Sequence, residues 1–310
     1  MIKFLLRALG LVVFAGTIYL ASRLWPAHRQ IDSLNPKLPS VASIKESAQI
    51  EGLPFEIEIV NTASQWTPLS SILKDDRSDK GYEMTFPAFL IKWEDGRQFL
   101  VDAGLTKTTA NKFGTPSEIL GAKPMEFHKE LGEVVDLEKI NGVGFTHLHL
   151  DHVDGAKNLC SDTSDLKIVQ SHEQYTQANY GTIAQYELLD NLACGKRLLV
   201  RDNLILKTIS GFPGLYIVNT AGHTPGSQVF IAHIKRHGVV TTYVLAGDLV
   251  NHKDGYLSDI PKPMWFSYFV VPENLDQLRL TRFWLKDLDE QNNINVLPSH
   301  DLSSTIAFLK

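Results

Sequence analysis

The longest apolar run of the chain lies at its N-terminus. An uncharged stretch extends from Ala8 to Ser22 and is bounded by Arg7 and Arg23. It falls short of the roughly 20 residues that cross a bilayer, but the apolar residues before Arg7 extend it if that side chain snorkels to the interface. The pattern predicts an N-terminal hydrophobic helix within residues 1–26, an export or anchoring segment outside the folded domain.

The residues around this stretch bear on whether it is cleaved. Around "IYLASR", the candidate cleavage sites place Tyr19 or Leu20 where a small residue is needed, so we favour an uncleaved signal anchor. Lys3 and Arg7 precede the stretch, which favours a cytoplasmic N-terminus and a domain outside the cytoplasm, periplasmic if the source is bacterial. A cleaved signal peptide and a buried helix of the domain are the alternatives.

The folded domain is expected from 49 to 310. Residues 27–48 mix proline, serine and charges without periodicity, which predicts a linker between the membrane and the domain. The domain opens on "PFEIEIVN", where Phe55, Ile57 and Ile59 alternate with glutamates, the pattern of a half-buried strand.

The remaining pattern alternates strands with helices. Two apolar runs, "AFLIKW" and "RQFLV", flank Gly96 and predict a β-hairpin whose second strand ends at Asp102. Beyond it, helical patterns in "MEFHKELGEV" and "ENLDQLRLTRFWLKDL" alternate with β-branched runs in "KIVQ", "LYIVN", "TYVLA" and "INVLP". This order predicts one α/β or α+β domain whose sheets are covered by helices on their outer faces.

Composition narrows the class of partner. The 310 residues are 44% hydrophobic, which suffices for a large core. The 30 basic and 35 acidic side chains leave a net charge of −5, so no basic field of the kind that binds nucleic acid is expected. Cys160 and Cys194 form a disulfide if the domain is exported, or stay as two isolated thiols, and the sequence leaves both open.

One polar stretch, "THLHLDHVDG", follows the buried-looking run "GVGF". His147 and His149 are two positions apart, a spacing that projects both side chains to one side of an extended or turning segment. Asp154 and Gly155 are expected to start the helix that follows. Imidazoles and carboxylates in a loop between a strand and a helix are ligands that suit zinc and related divalent ions.

Other polar residues stand just beyond the ends of short apolar strands. His223 in "NTAGHTPGS" follows "LYIV", Asp248 follows "TYVLAG", and His300 follows "INVLPS". Ligand sites of open sheets form at such strand ends, so one edge of the sheets is expected to collect these side chains.

This ordered set resembles that of the metallo-β-lactamase superfamily, over essentially all of residues 49–310. The resemblance implies a four-layer αββα sandwich, preceded here by the N-terminal hydrophobic helix. It implies one metal ion on three histidines, a second ion on three further residues, an aspartate that bridges the two ions, and an aspartate that orients the ligand loop. The three histidines are His147, His149 and His223, and the second ion would be held by Asp151, His152 and His300. The bridging aspartate would be Asp248, and the aspartate that orients the ligand loop would be Asp102.

The chemistry implied is hydrolysis by two divalent ions, Zn²⁺ in the first place, with iron or manganese as alternatives. Seven ligands with two carboxylates leave room for water, and a hydroxide between the metals is a nucleophile at neutral pH. Asp151 and Asp248 are the catalytic carboxylates. No convincing serine or cysteine nucleophile is seen. The expected substrate is a small molecule with an ester, lactone or phosphoester-type bond and an apolar group.

The chain departs from well-known members of the superfamily in two respects, and these departures narrow the reactions that are expected. β-Lactamases of the superfamily use a cysteine ligand for the second metal, whereas this chain has Asp248 in the matching region, which disfavours antibiotic hydrolysis. Lactonases that cleave acyl-homoserine lactones carry a tyrosine shortly after the bridging aspartate. Here the first tyrosine after it is Tyr256, which places a lactonase assignment in doubt.

The aromatic segment "GYLSDIPKPMWFSYFVV" is a candidate pocket wall, while core packing or membrane contact is the alternative. The candidate pocket residues are His252, Tyr256, Trp265, Phe266, Tyr268 and His172. Surface positions are expected for four other histidines, with one in the linker, one in an amphipathic helix and two beside a turn. These are His28, His128, His233 and His237.

Two functions of other classes compete with hydrolysis. One is a mononuclear iron oxidoreductase similar to the persulfide dioxygenases of the same superfamily. The other is a non-catalytic binding protein on this fold, disfavoured because no ligand of the set is lost. The sequence does not indicate an oligomeric state.

Overall fold

A computed structural model of the protein describes residues 2–74, 80–160, 166–200 and 204–301, with the backbone alone described at 2–6, 8 and 9. Residues 302–310, the end of the expected domain, lie outside the described part. The helices of the described residues are α1 Ile2–Asp32, α2 Val41–Ser47, α3 Lys107–Phe113, α4 Thr115–Glu118, α5 Leu150–Val153, α6 His172–Thr176, α7 Ile183–Asp190, α8 Asp254–Leu257 and α9 Leu275–Asp289.

The strands of the described residues form two sheets. They are β1 Glu56–Pro68, β2 Gly81–Lys92, β3 Gln98–Val101, β4 Glu126–Phe127, β5 Ile140–Gly144, β6 Leu166–Ser171, β7 Gly195–Val200, β8 Lys207–Thr208, β9 Leu215–Asn219, β10 Gln228–Arg236, β11 Val239–Gly247 and β12 Ile294–Pro298. One sheet has the order β4-β1-β2-β3-β5-β6-β7 and the other β12-β11-β10-β9-β8. The β2–β3 hairpin forms as predicted, with Gly96 at φ 89° in its turn.

Three apolar clusters separate the layers. The inner faces of the two sheets meet in a cluster that includes Phe99, Phe212 and Phe230. A second cluster joins the outer face of the larger sheet to α5 and α7, and a third joins the outer face of the smaller sheet to α2, α8 and α9. This confirms the predicted α/β class and the four-layer αββα sandwich, with the N-terminal apolar helix α1 in front of it.

The expected linker differs from the structure. The helix α1 continues to Asp32, and α2 begins after Ser40, whose side chain accepts a hydrogen bond from the N–H of Ser43. Ile31 and Ile44 are 0% exposed. Ile44 packs in the apolar cluster that joins the smaller sheet to α9, and Leu38 and Val41 pack against the same cluster.

The helix predicted over "MEFHKELGEV" is absent, because this backbone is used by the sheet edge. β4 pairs with β1, and the N–H groups of His128 and Lys129 donate to the carbonyl of Thr62, at 2.8 and 3.3 Å. These bonds replace those that a helix would make. The segment then ends in a short 3₁₀ turn at Leu131–Glu133.

The four histidines expected at the surface differ in their burial and contacts. His237 and His128 are exposed as predicted. His28 lies in α1 and not in a linker, and it contacts Tyr268. His233 was predicted wrongly, because it is fully buried in β10, where Ser47 of α2 and Thr242 of β11 bond its two ring nitrogens.

Cys160 and Cys194 are joined in a disulfide, with their Cα atoms 5.3 Å apart. The bond links the segment after α5 to the segment before β7, on the outer side of the larger sheet. Of the two alternatives that the sequence left open, the structure therefore has the bridged one.

Candidate metal centre

The candidate centre lies where strands of both sheets end at one edge. His147 and His149 follow β5, and the helix α5 that begins directly after them carries Asp151 and His152. The other three residues come from the smaller sheet, where His223 follows β9, Asp248 follows β11 and His300 follows β12. The structure brings together all seven residues that the sequence singled out, and they divide into two groups.

Three imidazoles form the first group. The Nδ1 atom of His149 lies 2.9 Å from Nε2 of His147 and 3.2 Å from Nε2 of His223. His147 and His223 are buried, whereas His149 is half-buried. The group is therefore enclosed on the protein side and opens towards its surroundings at His149.

The second group contains two carboxylates and two imidazoles. Nε2 of His300 and Nε2 of His152 lie 3.0 and 3.1 Å from Oδ1 of Asp248. Oδ2 of Asp151 is 3.4 Å from Nε2 of His300 and 3.7 Å from Nε2 of His152. One ligand atom from each of these four residues falls within 4.8 Å of the others, a spacing that fits a single ion.

Asp248 lies between the two groups. Its Oδ2 atom is 3.8 Å from Nε2 of His223 and 4.0 Å from Nε2 of His147 in the first group. The same carboxylate contacts both imidazoles of the second group through Oδ1. Asp248 is therefore a carboxylate that approaches both groups of ligands.

Hydrogen bonds on the outer side of the imidazoles select which nitrogen points inward. Nδ1 of His152 lies 2.9 Å from Oδ2 of Asp102, and Nδ1 of His300 lies 2.7 Å from the carbonyl oxygen of Thr85. These oxygens only accept, so each Nδ1 carries the proton. The lone pair then stays on Nε2, which faces the centre, as in histidines that bind metals.

Asp102 also fixes the backbone of the ligand loop. Its carboxylate accepts hydrogen bonds from the N–H of Thr146, at 2.7 Å, and from the hydroxyl of Thr146, at 2.9 Å. Asp102 itself has φ 59°, in the left-handed region that costs a non-glycine residue free energy. Together with the contact to Nδ1 of His152, these two bonds hold Asp102 in its strained conformation and position the start of the loop that carries His147 and His149.

The donor set fits metal ions. Nε2 of His152 and Oδ1 of Asp248 are buried, and within the described part of the chain neither has a hydrogen-bond partner. Leaving such polar atoms unsatisfied costs roughly 1–3 kcal/mol each, and more for a charged group. A divalent cation satisfies them, and neutral imidazole with carboxylate suits zinc and, with decreasing preference, iron or manganese.

The pKa values of the histidines shift in opposite directions in the two ligand groups. Burial and neighbouring imidazoles hold the pKa values of His147 and His149 well below the usual range. Burial also acts on His152 and His300, but the carboxylates around them, Asp248 above all, outweigh it and raise both pKa values. The first group is thus a set of neutral nitrogen donors, and the second group holds the negative charge.

A buried ion pair, which the sequence pattern does not indicate, lies behind His223. Oε1 of Glu273 lies 2.5 Å from Nδ1 of His223 and accepts a hydrogen bond from Nζ of Lys262 at 2.7 Å. Lys262 also donates to the carbonyl of Asp248 at 2.7 Å, and the hydroxyl of Ser267 donates to Glu273 at 2.6 Å. The carboxylate therefore sets the tautomer of His223.

The charge on Glu273 is maintained despite its position. Burial raises the pKa of this carboxyl, but Lys262 and His223 more than offset that and lower it to about 2. No spacing rule pointed to Lys262 or Glu273, because they come from a proline-rich turn and from the residues just before α9. Their only sequence signal is that both charges lie within or beside an apolar segment.

The candidate pocket residues are not gathered at the centre. Tyr256 is buried in the cluster behind the smaller sheet, and its assignment to a pocket stays a prediction. His172 is exposed at the start of α6. Trp265 and Tyr268 are exposed and Phe266 is half-buried, in the segment before α9.

His252 is the candidate that lies nearest to the centre along the chain, four residues after Asp248. Its ring meets that of Tyr82 edge-on, with centroids 5.2 Å apart, and its Nε2 atom is 3.8 Å from Oδ2 of Asp301. Burial, with Asp301 and Asp248, raises the pKa of Tyr82 well above its usual value. A phenol from β2, which the sequence did not indicate, therefore stands at this edge of the sheets.

The family model of the metallo-β-lactamase superfamily matches residues 87–264, more than half of the chain. No curated protein matches the chain.

Several solved structures share the fold. An N-acyl homoserine lactone hydrolase with a product bound at its catalytic metal centre is 15% identical, with a TM-score of 0.59 over 82% of this chain and 96% of that one. A dizinc quorum-quenching lactonase is 15% identical, with a TM-score of 0.53 over 80% and 88%. A probable metal-dependent hydrolase from Staphylococcus aureus is 14% identical, with a TM-score of 0.53 over 81% and 91%.

At identities of 14% and 15%, the solved structures show that the fold is shared. The family model shows the family to which the chain belongs. The match covers β3, β5 and the polar loop that follows β5, and it continues through β11 to the segment before α9. It therefore includes six of the seven residues of the candidate centre and leaves out His300. This chain belongs to the metallo-β-lactamase superfamily.

Proposed function

We propose that the protein is a hydrolase that binds two divalent metal ions, Zn²⁺ in the first place, and acts on an ester, lactone or phosphoester-type bond of a small molecule. The observation that carries the proposal is the pair of ligand groups, one of three imidazoles and one of four residues, that approach each other at Asp248. His147, His149 and His223 would hold one ion. Asp151, His152 and His300 would hold the other, and Asp248 would bridge them.

Two bound divalent ions supply a water that is nucleophilic at neutral pH and polarise the bond under attack. The residues of the chain position and protect this chemistry. Asp102, Glu273 and the carbonyl of Thr85 keep the inward nitrogens of three histidines free of protons. Asp151 and Asp248 would be the catalytic carboxylates: Asp151 would hold the second ion, and Asp248 presents one oxygen to each ligand group and would hold both ions.

The substrate class is supported by two lines of argument. Solved structures of the same fold include lactone hydrolases and a probable metal-dependent hydrolase. Both carboxylates and His300 of the second group are present, which favours two ions over the mononuclear iron site of a persulfide dioxygenase. An apolar group on the substrate is favoured by the exposed aromatic segment before α9.

We also propose that α1 anchors the protein in a membrane, with the domain outside the cytoplasm. The segment Gly10–Asp32 is long and apolar enough to cross a bilayer, and 6% of its most apolar window is buried in the protein. The disulfide between Cys160 and Cys194 is of the kind that persists in an oxidising compartment.

Metal content and activity of one variant test the hydrolase proposal. The full chain, purified in detergent, is expected to hold about two equivalents of metal by mass spectrometry and to cleave at least one member of a panel of lactones, aryl esters, phosphotriesters, phosphodiesters and thioesters. Asp248→Asn should lower both, while the matched variant His237→Gln, at an exposed position, should keep both. A normally folded chain without metal, or activity undiminished by Asp248→Asn, would contradict the proposal.

A further inference from the structure

An exposed apolar surface lies beside the candidate centre. The segment 264–270, called here the aromatic ridge, forms a π-helical turn at Phe266–Val270. Five of its seven residues expose large apolar side chains to solvent, and Phe269 is 70% exposed. The five are Met264, Trp265, Tyr268, Phe269 and Val270. An apolar surface of this kind, in a segment with no charged residue, is typical of an interaction site.

The inner side of the ridge is fixed to the candidate centre. The hydroxyl of Ser267 donates to Glu273, the carboxylate behind His223, and Nζ of Lys262 lies 5.3 Å from the ring centroid of Phe266. Ser267 is fully buried. The outer side chains therefore cannot turn into the core without breaking these contacts, and they stay directed outward.

The last turns of α1 pack against this part of the domain. Nε2 of His28 lies 3.2 Å from the carbonyl oxygen of Tyr268, and the two rings are 5.5 Å apart. Further along the helix, Asp32 accepts a hydrogen bond from Asn274 at 2.9 Å, and Ile31 is fully buried. The end of α1 is thus part of the domain, and the ridge is in contact with it.

The position of this contact along α1 sets its height above a membrane. The uncharged stretch ends at Ser22, and His28 lies about 9 Å further along the axis at 1.5 Å per residue. The polar layer on each side of a bilayer is roughly 5–8 Å thick. Trp25, between the two and 67% exposed, is a residue type enriched in that layer.

We propose that the aromatic ridge inserts into the interfacial layer of the membrane that α1 crosses, as a second membrane contact of the folded domain. The inference rests on the proposed anchoring by α1, and it adds a fixed orientation of the domain. Trp and Tyr favour this layer because their rings are apolar and carry one polar atom, which suits Trp265 and Tyr268.

A second copy of the chain is a poorer occupant for this surface. The exposed area of the five side chains is on the order of 500 Å², whereas a stable protein interface buries about 800 Å² on each partner. A membrane has no such minimum, because α1 already holds the ridge at the surface, and each inserted side chain adds to the binding.

The orientation has a consequence for access to the metal ions. The centre opens at His149, and the adjoining segment carries Gly181, where an added Cβ would lie 3.7 Å from Nε2 of His149. This segment is tied to α1 as well, because Nε2 of Gln30 donates to Gln177 and to the carbonyl of Ala178, at 3.2 and 3.3 Å. Helix α1 therefore contacts both the ridge and the segment beside His149, so insertion of the ridge would place this segment near the membrane surface.

Depth-dependent fluorescence quenching tests the insertion. Both cysteines of the chain are in the disulfide, so Phe269→Cys supplies a single thiol for an environment-sensitive nitrobenzoxadiazole label. The full chain is reconstituted in vesicles of phosphatidylcholine and phosphatidylglycerol that contain nitroxide lipids. We expect the label at 269 to shift its emission to shorter wavelength and to be quenched at least twofold by a nitroxide near the headgroup.

The matched control is Val239→Cys, exposed at the far end of β11 from Asp248, about 27 Å away for nine residues. Its label should not be quenched. A chain that sediments with the vesicles but shows equal quenching at 269 and 239 overturns the ridge proposal alone. A chain that stays in the supernatant overturns the anchoring and the ridge together. Disulfide cross-linking between copies of unlabelled Phe269→Cys, without quenching of the label, also overturns it and indicates a dimer.

Discussion

At the scale of single residues, the candidate centre is defined as much by what lies behind the histidines as by the histidines themselves. A carboxylate or a carbonyl contacts the outer nitrogen of His152, His223 and His300. Each contact fixes the tautomer and the ring angle before a metal arrives. Burial raises the pKa of Glu273, but its ion pair with Lys262 and its contact with His223 more than offset this.

Glu273→Gln tests this role. An amide in place of the carboxylate removes the anion that fixes the proton on Nδ1 of His223, so we expect metal affinity to fall about 10- to 100-fold. The measurement is competition with a chelator of known affinity. Because the change also leaves Lys262 buried without its anion, Lys262→Met with Glu273→Gln serves as the second variant. A metal affinity equal to that of the wild type in both variants would show that Glu273 has no influence on His223.

His233 gives a second prediction, on the pH dependence of stability. Burial lowers its pKa from 6.5 to about 4 in the folded state. Above pH 6.5 the residue is neutral in both states and adds no pH dependence. Between pH 6.5 and 4 the unfolded chain takes up the proton and the folded chain does not, so stability is lost as the pH falls. At pH 5 the loss is about 2 kcal/mol.

Urea unfolding of the full chain at pH 7.5 and pH 5 measures this effect. The wild type should lose about 2 kcal/mol more than His233→Gln between the two pH values, since the variant has no group that titrates there. His237→Gln, at an exposed turn of the same hairpin, should behave as the wild type does. Identical pH dependence in the wild type and His233→Gln would show that the folded state protonates as readily as the unfolded chain.

At the scale of elements, the strands and their ends could be predicted from the sequence, because each strand is a short β-branched run that ends at a polar residue. The predicted strand at "LYIVN" is β9, and His223 follows it; "INVLP" is β12, and His300 follows it. The α9 pattern was equally clear, with an apolar face every three or four residues over Leu275–Asp289.

Elements whose form depends on distant partners could not be read in this way. The segment around Phe127 has a helical apolar pattern, but pairing with β1 makes it a strand. The short helix α2 has one fully buried side chain, Ile44, too few for a period. Lys262 and Glu273 form an ion pair behind His223, where the three-dimensional fold brings them together. Their spacing along the chain does not predict this contact.

The disulfide is the cross-link between elements whose contribution can be measured. Cys160 and Cys194 close a loop with a sequence separation of 34, for which the loss of entropy in the unfolded chain amounts to about 2–4 kcal/mol. The double variant Cys160→Ser with Cys194→Ser should lose that much stability in chemical denaturation. Reductant should destabilise the wild type by a similar amount and leave the variant unchanged. Equal stability of wild type and variant would mean that the bridge adds nothing to this fold.

At the scale of the whole molecule, the boundary between anchor and domain lies within a helix. Residues 10–23 and Trp25 of α1 are exposed, whereas Ala27 and Ile31 are buried. The segment that follows continues this packing through Leu38 and Ile44. We therefore propose that the folded unit begins near 27 and includes residues that the sequence assigns to a linker before position 49.

Two truncated chains test where the folded unit begins. A chain of residues 27–310 keeps all of these contacts and should unfold close to the temperature of the full chain. A chain of residues 49–310 loses Ile31 and Ile44, both 0% exposed, and burial of each contributes about 1.5–3 kcal/mol. It also loses the carbonyl of Pro39, to which the indole N–H of Trp284 donates at 2.9 Å. We expect it to be less stable by at least 3 kcal/mol, a large part of the 5–15 kcal/mol typical of a domain.

Denaturation of the two chains, followed by the fluorescence of their tryptophans, gives the comparison. Ile44→Ala in the full chain is the matched point variant, and loss of its buried side chain should cost about 2–5 kcal/mol without any change of chain length. If the chain of residues 49–310 were as stable as that of 27–310, the segment 27–48 would be the linker that its composition suggests. Loss of stability in both the short chain and the point variant would instead place α2 within the fold, and would fix the end of α1, with the adjoining ridge, as part of one rigid body.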